Sequence, residues 1–225
     1  MNKRGVTITL SIFLMVGLVG CDSKNTVKST TDTKTATTAK AIPKIIPKPV
    51  PKVEVETVVK NPDFRKVKWG MTREEVKKTE KTPIMATTDD AIMYKDRVCG
   101  ISDVQLAYQF NSEGKFTEGL FMFTGRHSNP NDYIDDYESI KKQLIAKYGE
   151  PSTYDNGGIW KDSLYKDSPQ ERGMAVITGG LIYGTKWNLP NTIITLFLQG
   201  DKFEPSMDVI YESKTVKKDA TKSGL

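Results

Sequence analysis

The chain has 225 residues, 37% hydrophobic and 27% charged, enough for one domain with a sizeable core plus flanking segments. Its net charge of +5 is unevenly placed: residues 61–213 hold 19 basic and 23 acidic side chains, a net of −4. The basicity therefore belongs to the ends, and no basic folded surface argues for a nucleic-acid partner. One histidine and two cysteines rule out a zinc site of several His or Cys ligands and leave no disulfide framework.

Residues 1–20 have the layout of an export signal. Lys3 and Arg4 form a positive head, Val6 to Val19 is apolar, and small Gly20 precedes Cys21. Thr7, Thr9, Ser11 and Gly17 break a segment already shorter than the about 20 apolar residues of a spanning helix. Leu18-Val19-Gly20-Cys21 resembles the lipobox of bacterial lipoproteins. That resemblance implies a diacylglyceryl group on the Cys21 thiol, cleavage just before it, and often acylation of the new amino group. Each buried methylene contributes about 0.8 kcal/mol, so two or three chains hold a protein to the outer side of the cell membrane. In a Gram-negative host, acidic Asp22 after the cysteine implies retention at the inner membrane.

Residues 21–60 read as a disordered tether behind the lipidated cysteine. Thr30 to Thr38 has too few large apolar side chains to offset chain entropy. Pro43 to Lys52 has prolines two to four apart, favouring a polyproline II spacer of roughly 30 Å. Val53 to Val59 alternates and is a candidate edge strand. Residues 61–213 form the expected domain, and 214–225 a disordered basic tail.

Within the domain, Thr72 and Glu75 make a capping box, with Met71 and Val76 placed as a hydrophobic staple, for a helix from Arg73 to about Lys81. Trp69 just before it is expected in the core. Cys99, beside a strand and without an intrachain partner, is expected as a small buried apolar residue. Val104, Leu106, Tyr108 and Phe110 alternate as a half-buried strand, and Phe116 to Thr124 returns after the turn Asn111 to Lys115. A second helix starts at Asn129-Pro130, with Asn129 as cap and Pro130 in its first position. It presents Tyr133, Ile134, Tyr137, Ile140, Leu144, Ile145 and Tyr148 on one face and stops at Gly149-Glu150-Pro151. Ser152 to Lys161, Ala175 to Ile177, Leu181 to Asn188, Thr192 to Gln199 and Met207 to Ser213 read as strands.

The fold class is therefore α+β, two helices packed on an antiparallel sheet, in an order consistent with two tandem α-then-β units. The capped Trp69-Gly70-Met71-Thr72 helix and the Lys147-Tyr148-Gly149-Glu150-Pro151 exit resemble small bacterial envelope lipoproteins with a β-lactamase-inhibitor-protein-like or SmpA/OmlA-like domain. The resemblance covers roughly residues 64–213. It implies a non-enzymatic protein acting through protein contacts.

Chemistry is sparse. His127 next to Ser128 lacks triad spacing, and there is no Gly-x-Ser-x-Gly, Walker or dinucleotide motif. Asp132, Asp135, Asp136 and Glu138 suit the positive end of a helix better than a calcium loop. No catalytic residue, metal or cofactor is assigned. Candidate binding residues are Phe121 and Phe123, on one face of a strand, and Trp160 and Trp187, which with tyrosines would line a groove. The expectation is a membrane-anchored, non-catalytic protein-binding or scaffold module of the cell envelope, with another envelope protein as its partner. A carboxylate-based envelope hydrolase and a cell-wall or small-ligand binder are the alternatives.

Overall fold

A computed structural model describes residues 61–219. The signal, Cys21, the tether and the candidate strand at Val53–Val59 lie outside the described residues. Helix α1 (Arg73–Thr79) begins at the capping box, where Thr72 Oγ1 accepts the Glu75 N–H at 3.4 Å and Glu75 Oε2 accepts the Thr72 N–H at 2.8 Å. It stops short of Lys81 because Glu80 turns into extended backbone and its carboxylate binds the Arg65 guanidinium at 3.0 and 3.3 Å. Tyr108 also donates to Glu80, and Arg65 pairs with Asp96. This ionic cluster ties the entry loop to the sheet.

Two strands not expected from the sequence follow, β1 (Ile84–Thr87) and β2 (Ala91–Val98). A two-residue turn, Cys99-Gly100, leads to β3 (Ile101–Phe110), and both turn residues have positive φ, +56° and +86°. The expected hairpin then forms between β3 and β4 (Phe116–Phe123).

Helix α2 (Asp132–Tyr148) starts two residues later than the Asn-Pro pair suggests. Asn129 folds onto the loop, its Oδ1 accepting from the Asn131 N–H at 3.1 Å. Asn131 itself caps no N–H of α2. Its Oδ1 accepts from Gly173 N at 2.8 Å, and its Nδ2 donates to Gln170 O at 2.8 Å.

Gly173 belongs to α3 (Arg172–Ile177), where a strand was expected at Ala175 to Ile177. Ala175, Val176 and Ile177 are all buried, so the helix has no polar face and its period is invisible in sequence. Of the strand expected over Ser152 to Lys161, only β5 (Ile159–Trp160) and a bridge from Thr153 to Lys186 form. Asn156, Gly157 and Gly158, all at positive φ, turn the chain there. β6 (Leu181–Asn188), β7 (Thr192–Asp201) and β8 (Glu204–Ser213) complete the domain.

The eight strands make one antiparallel sheet in the order β1-β2-β3-β4-β8-β7-β6-β5. The last strand of each half thus meets at the centre, and the others run outward in mirrored chain order. Side chains of period two send Ile92 and Tyr94, Leu106 and Tyr108, Phe121, Val209 and Tyr211, Ile194 and Leu196, and Thr185 and Trp187 to one face. There α2 and α3 pack on β6 to β8. Tyr137 Oη bonds Thr185 Oγ1 at 2.8 Å, and the Trp187 indole donates to Gly149 O at 2.8 Å.

The other half of that face is closed differently. Phe64, 1% exposed, plugs it from the entry loop, its ring 4.9 to 6.0 Å from those of Tyr211, Phe121, Tyr108 and Phe116. Trp69 stacks on Phe116 at 4.8 Å and donates to Thr192 Oγ1 at 3.0 Å. Val76 is the buried residue of α1. Residues 214–219 lie against the β3–β4 turn, where Asn111 Nδ2 donates to Lys217 O at 3.0 Å, Asp219 accepts from Ser112, and Lys218 pairs with Glu118.

Candidate functional site

The opposite face of the sheet carries the alternate residues, and here the strand registers assemble a patch. Met93, Ala107, Leu120 and Ile210 lie side by side across β2, β3, β4 and β8. The neighbouring row runs Met122, Asp208, Phe197, Gly184 across β4, β8, β7 and β6. Ile193 and Ile182 extend it along β7 and β6. None of these belongs to the core cluster or packs against it, and apart from Ala107 they are only partly buried. A Cβ added at Gly184 would meet nothing within 4 Å. Among the described residues no helix covers this face, and an exposed apolar patch of this kind is a candidate interaction site.

The patch is charged as well as apolar, and its rows run out into Gln105 and Lys95 on one side and Thr195 and Lys186 on the other. Asp208 sits between Met122 and Phe197, which gives its carboxylate little water, and burial pushes its pKa up despite the Ser206 hydroxyl donating at 2.8 Å. Glu118 and Glu212 face each other in the next register pair but one. Burial also pushes Glu118 up, against the opposing pull of Lys218. Sequence reasoning missed Asp208, Met93, Ile210 and Phe197 as a group. A signal was present: Leu120 to Phe123, Ile193 to Leu198 and Val209 to Tyr211 are apolar on both phases of the alternation, whereas a sheet with one wet face alternates cleanly.

The expected binding residues do not converge. Phe121 and Phe123 point to the covered face, not the open one, because β4 turns the phase that includes Gly119 toward the Phe64 ring. Phe121 packs on Phe64 and borders a mostly apolar groove of about 420 Å³ between α2 and the sheet, with Val98, Leu144 and Val209. Phe123 borders a different concavity of about 320 Å³. Trp160 lies in β5 beneath the Arg172 guanidinium, 5.6 Å from its ring centre. Trp187 is 1% exposed with its indole N–H satisfied, so it lines no groove.

Cys99 corrects another expectation. It is exposed at the β2–β3 turn, with its Sγ 2.9 Å from Gln143 Oε1 on α2, and burial pushes its thiol up rather than activating it.

His127 is held where α2 begins. Its Nε2 is 2.7 Å from Asp136 Oδ2, its ring packs on Tyr133, and its backbone N–H donates to Tyr133 Oη at 3.0 Å. Asp103 and Arg126 share the 320 Å³ concavity with this pair. Among the described residues no hydroxyl or thiol is bonded to the imidazole, so the contact positions the loop rather than activating a nucleophile. The other buried carboxylate, Asp155, is desolvated, yet Tyr137, the Gly157 N–H and Lys141 hold its pKa below the usual range. Among the described residues no group of three or more His, Cys, Asp or Glu is gathered as a metal site would require, and no helix is long and apolar enough to cross a membrane. No family profile, curated protein or solved structure matches the chain.

Proposed function

We propose that this chain is a lipid-anchored, extracytoplasmic, non-catalytic module of the bacterial envelope that binds another envelope protein through the open face of its sheet. The observation supporting binding is that face, with Met93, Ala107, Leu120 and Ile210 side by side across four strands and no described helix above it. The lipobox-like Leu18-Val19-Gly20-Cys21 supports the anchor. Single charged substitutions in the patch, Leu120→Glu or Ile210→Glu, are expected to abolish capture of the partner in living cells while leaving the fold intact. Wild-type chain carrying a photocrosslinker that recovers no specific protein would sink the binding reading. A Cys21→Ala chain that still fractionates with membranes after processing would sink the anchor.

We infer also that the domain is built from two tandem α-then-β units. The supporting feature is the strand order, in which four strands after α1 and four after α2 run outward from the β4–β8 pair. The second unit departs from the first by the α3 insertion between β5 and β6. If residues 61–123 and 129–213, produced as separate chains, reassemble into the native sheet on mixing, the two-unit reading gains support. Failure of either piece to pair with the other counts against it.

A further inference from the structure

Asp208 occupies the middle of the open face with apolar neighbours on both adjoining strands, Met122 on β4 and Phe197 on β7. Along its own strand Ser206 and Ile210 share that face. Its hydrogen bond is from the Ser206 hydroxyl at 2.8 Å, and none of the ion pairs among the described residues includes it. The contrast with Glu118 is direct, because that carboxylate, on the same face, has Lys218. A carboxylate shielded from water by hydrocarbon and left without a cation costs free energy that a partner's cation recovers on docking.

Resting on the reading of this face as a binding surface, we infer that its occupant is a different protein whose contact surface places a lysine or arginine, ringed by apolar side chains, over Asp208. The surroundings decide between occupants. The Met93–Ala107–Leu120–Ile210 row spans three strand spacings, roughly 14 Å, and is a surface rather than a pocket, which suits a protein and not a small amine. Lys95 and Lys186 at the outer strands balance Asp208 and Glu212, so the face has no basic excess, and a domain of net charge −4 gives anionic lipid headgroups no attraction. A second copy docked on a two-fold axis through Asp208 would set one Asp208 against the other. Desolvation of Asp208 beneath an apolar rim gives the pair the water-excluded setting in which interfacial ion pairs contribute most.

The test uses the full-length chain in its native cells, with photoreactive benzoylphenylalanine in place of Gly184, whose Cβ position is open. The expected result is an adduct to one protein, through a peptide containing or adjoining a lysine or arginine. Asp208→Leu and Asp208→Asn should each reduce that adduct at least about tenfold, and Asp208→Glu should keep it within about twofold. Both neutral variants are expected to fold, since they remove an unpaired charge, and their thermal transitions are measured alongside. A purely apolar interface predicts the opposite sign, with Asp208→Leu raising capture. That result would overturn the cation while leaving the binding reading intact. Adducts to residues 22–60 or 220–225 of the same chain, or to a second copy, also overturn the inference. No adduct in the parent chain removes both readings.

Discussion

Gly119 and Gly184 lie in one sheet and face opposite sides of it. A Cβ at Gly119 would come within 2.5 Å of the Phe64 ring, whereas at Gly184 it would meet nothing. The same division holds for charge. On the covered face, Glu80 is surrounded by Arg65 and Tyr108, while on the open face Asp208 has a serine. The covered face is thus largely completed internally, the Tyr94 hydroxyl being the buried side-chain group without a hydrogen-bond partner among the described residues. On the open face Lys218 matches Glu118, but Asp208 has no such partner among the described residues. Stability should therefore be concentrated on one side of the sheet and binding on the other, and paired substitutions can break that division.

The largest expected effect is at the plug. Phe64→Ala removes a ring buried against four others and should cost about 3–5 kcal/mol, a large fraction of the stability of such a domain. Phe197→Ala, on the open face, should cost under about 1 kcal/mol. Urea denaturation of both variants measures the gap, and equal losses would mean that the open face is as structural as the covered one.

Next comes charge. Glu80→Ala leaves Arg65 without its bidentate partner and Tyr108 without its acceptor, and should cost about 3 kcal/mol, the low end for a broken buried pair because Arg65 is 26% exposed. Asp208→Asn should cost nothing. Gly119→Ala follows, at about 1–3 kcal/mol, since the Phe64 ring has no room to withdraw. Gly184→Ala should instead stabilise by a few tenths of a kcal/mol, because alanine restricts the unfolded chain more than glycine does. A loss at Gly184 in calorimetry would show that something already covers that face.

Much of this division was legible along the chain, but not which side was which. The capping box at Thr72 and Glu75, the apolar face of α2 and the apolar runs of β6 to β8 between turn residues carry their own local signals, and these elements form as expected. α3 carried none, because a helix buried on every side has no period, and Ala175-Val176-Ile177 reads equally well as a strand. β2 was hidden by Lys95, Asp96 and Arg97, of which Asp96 turns inward only because Arg65 awaits it. For β4, the sequence presents hydrocarbon on both phases from Leu120 to Phe123. The choice between them is made by Phe64, about 55 residues away, lodging over Gly119. That is a tertiary fact with no local signature, and it moved the candidate patch from Phe121 and Phe123 to Leu120 and Met122.

The smallest effect is the most specific to Asp208. Burial raises its folded pKa above the unfolded value of about 3.9, so between the two the folded state binds more protons and stability falls as pH rises. The penalty is fully present above the folded pKa and is relieved as pH falls through it and below the unfolded value. Asp208→Asn should therefore be more stable than the parent chain at neutral pH, by under about 1 kcal/mol, and indistinguishable from it below about pH 3. Glu118 shifts in the same direction, so the informative quantity is the difference between variant and parent at each pH, in which the Glu118 contribution cancels. A docked cation reverses the sign, lowering the Asp208 pKa and making the carboxylate stabilising in the complex. The variant that gains stability alone should then be the one that loses the partner, and an Asp208→Asn chain that gained both would show that the open face recognises hydrocarbon only.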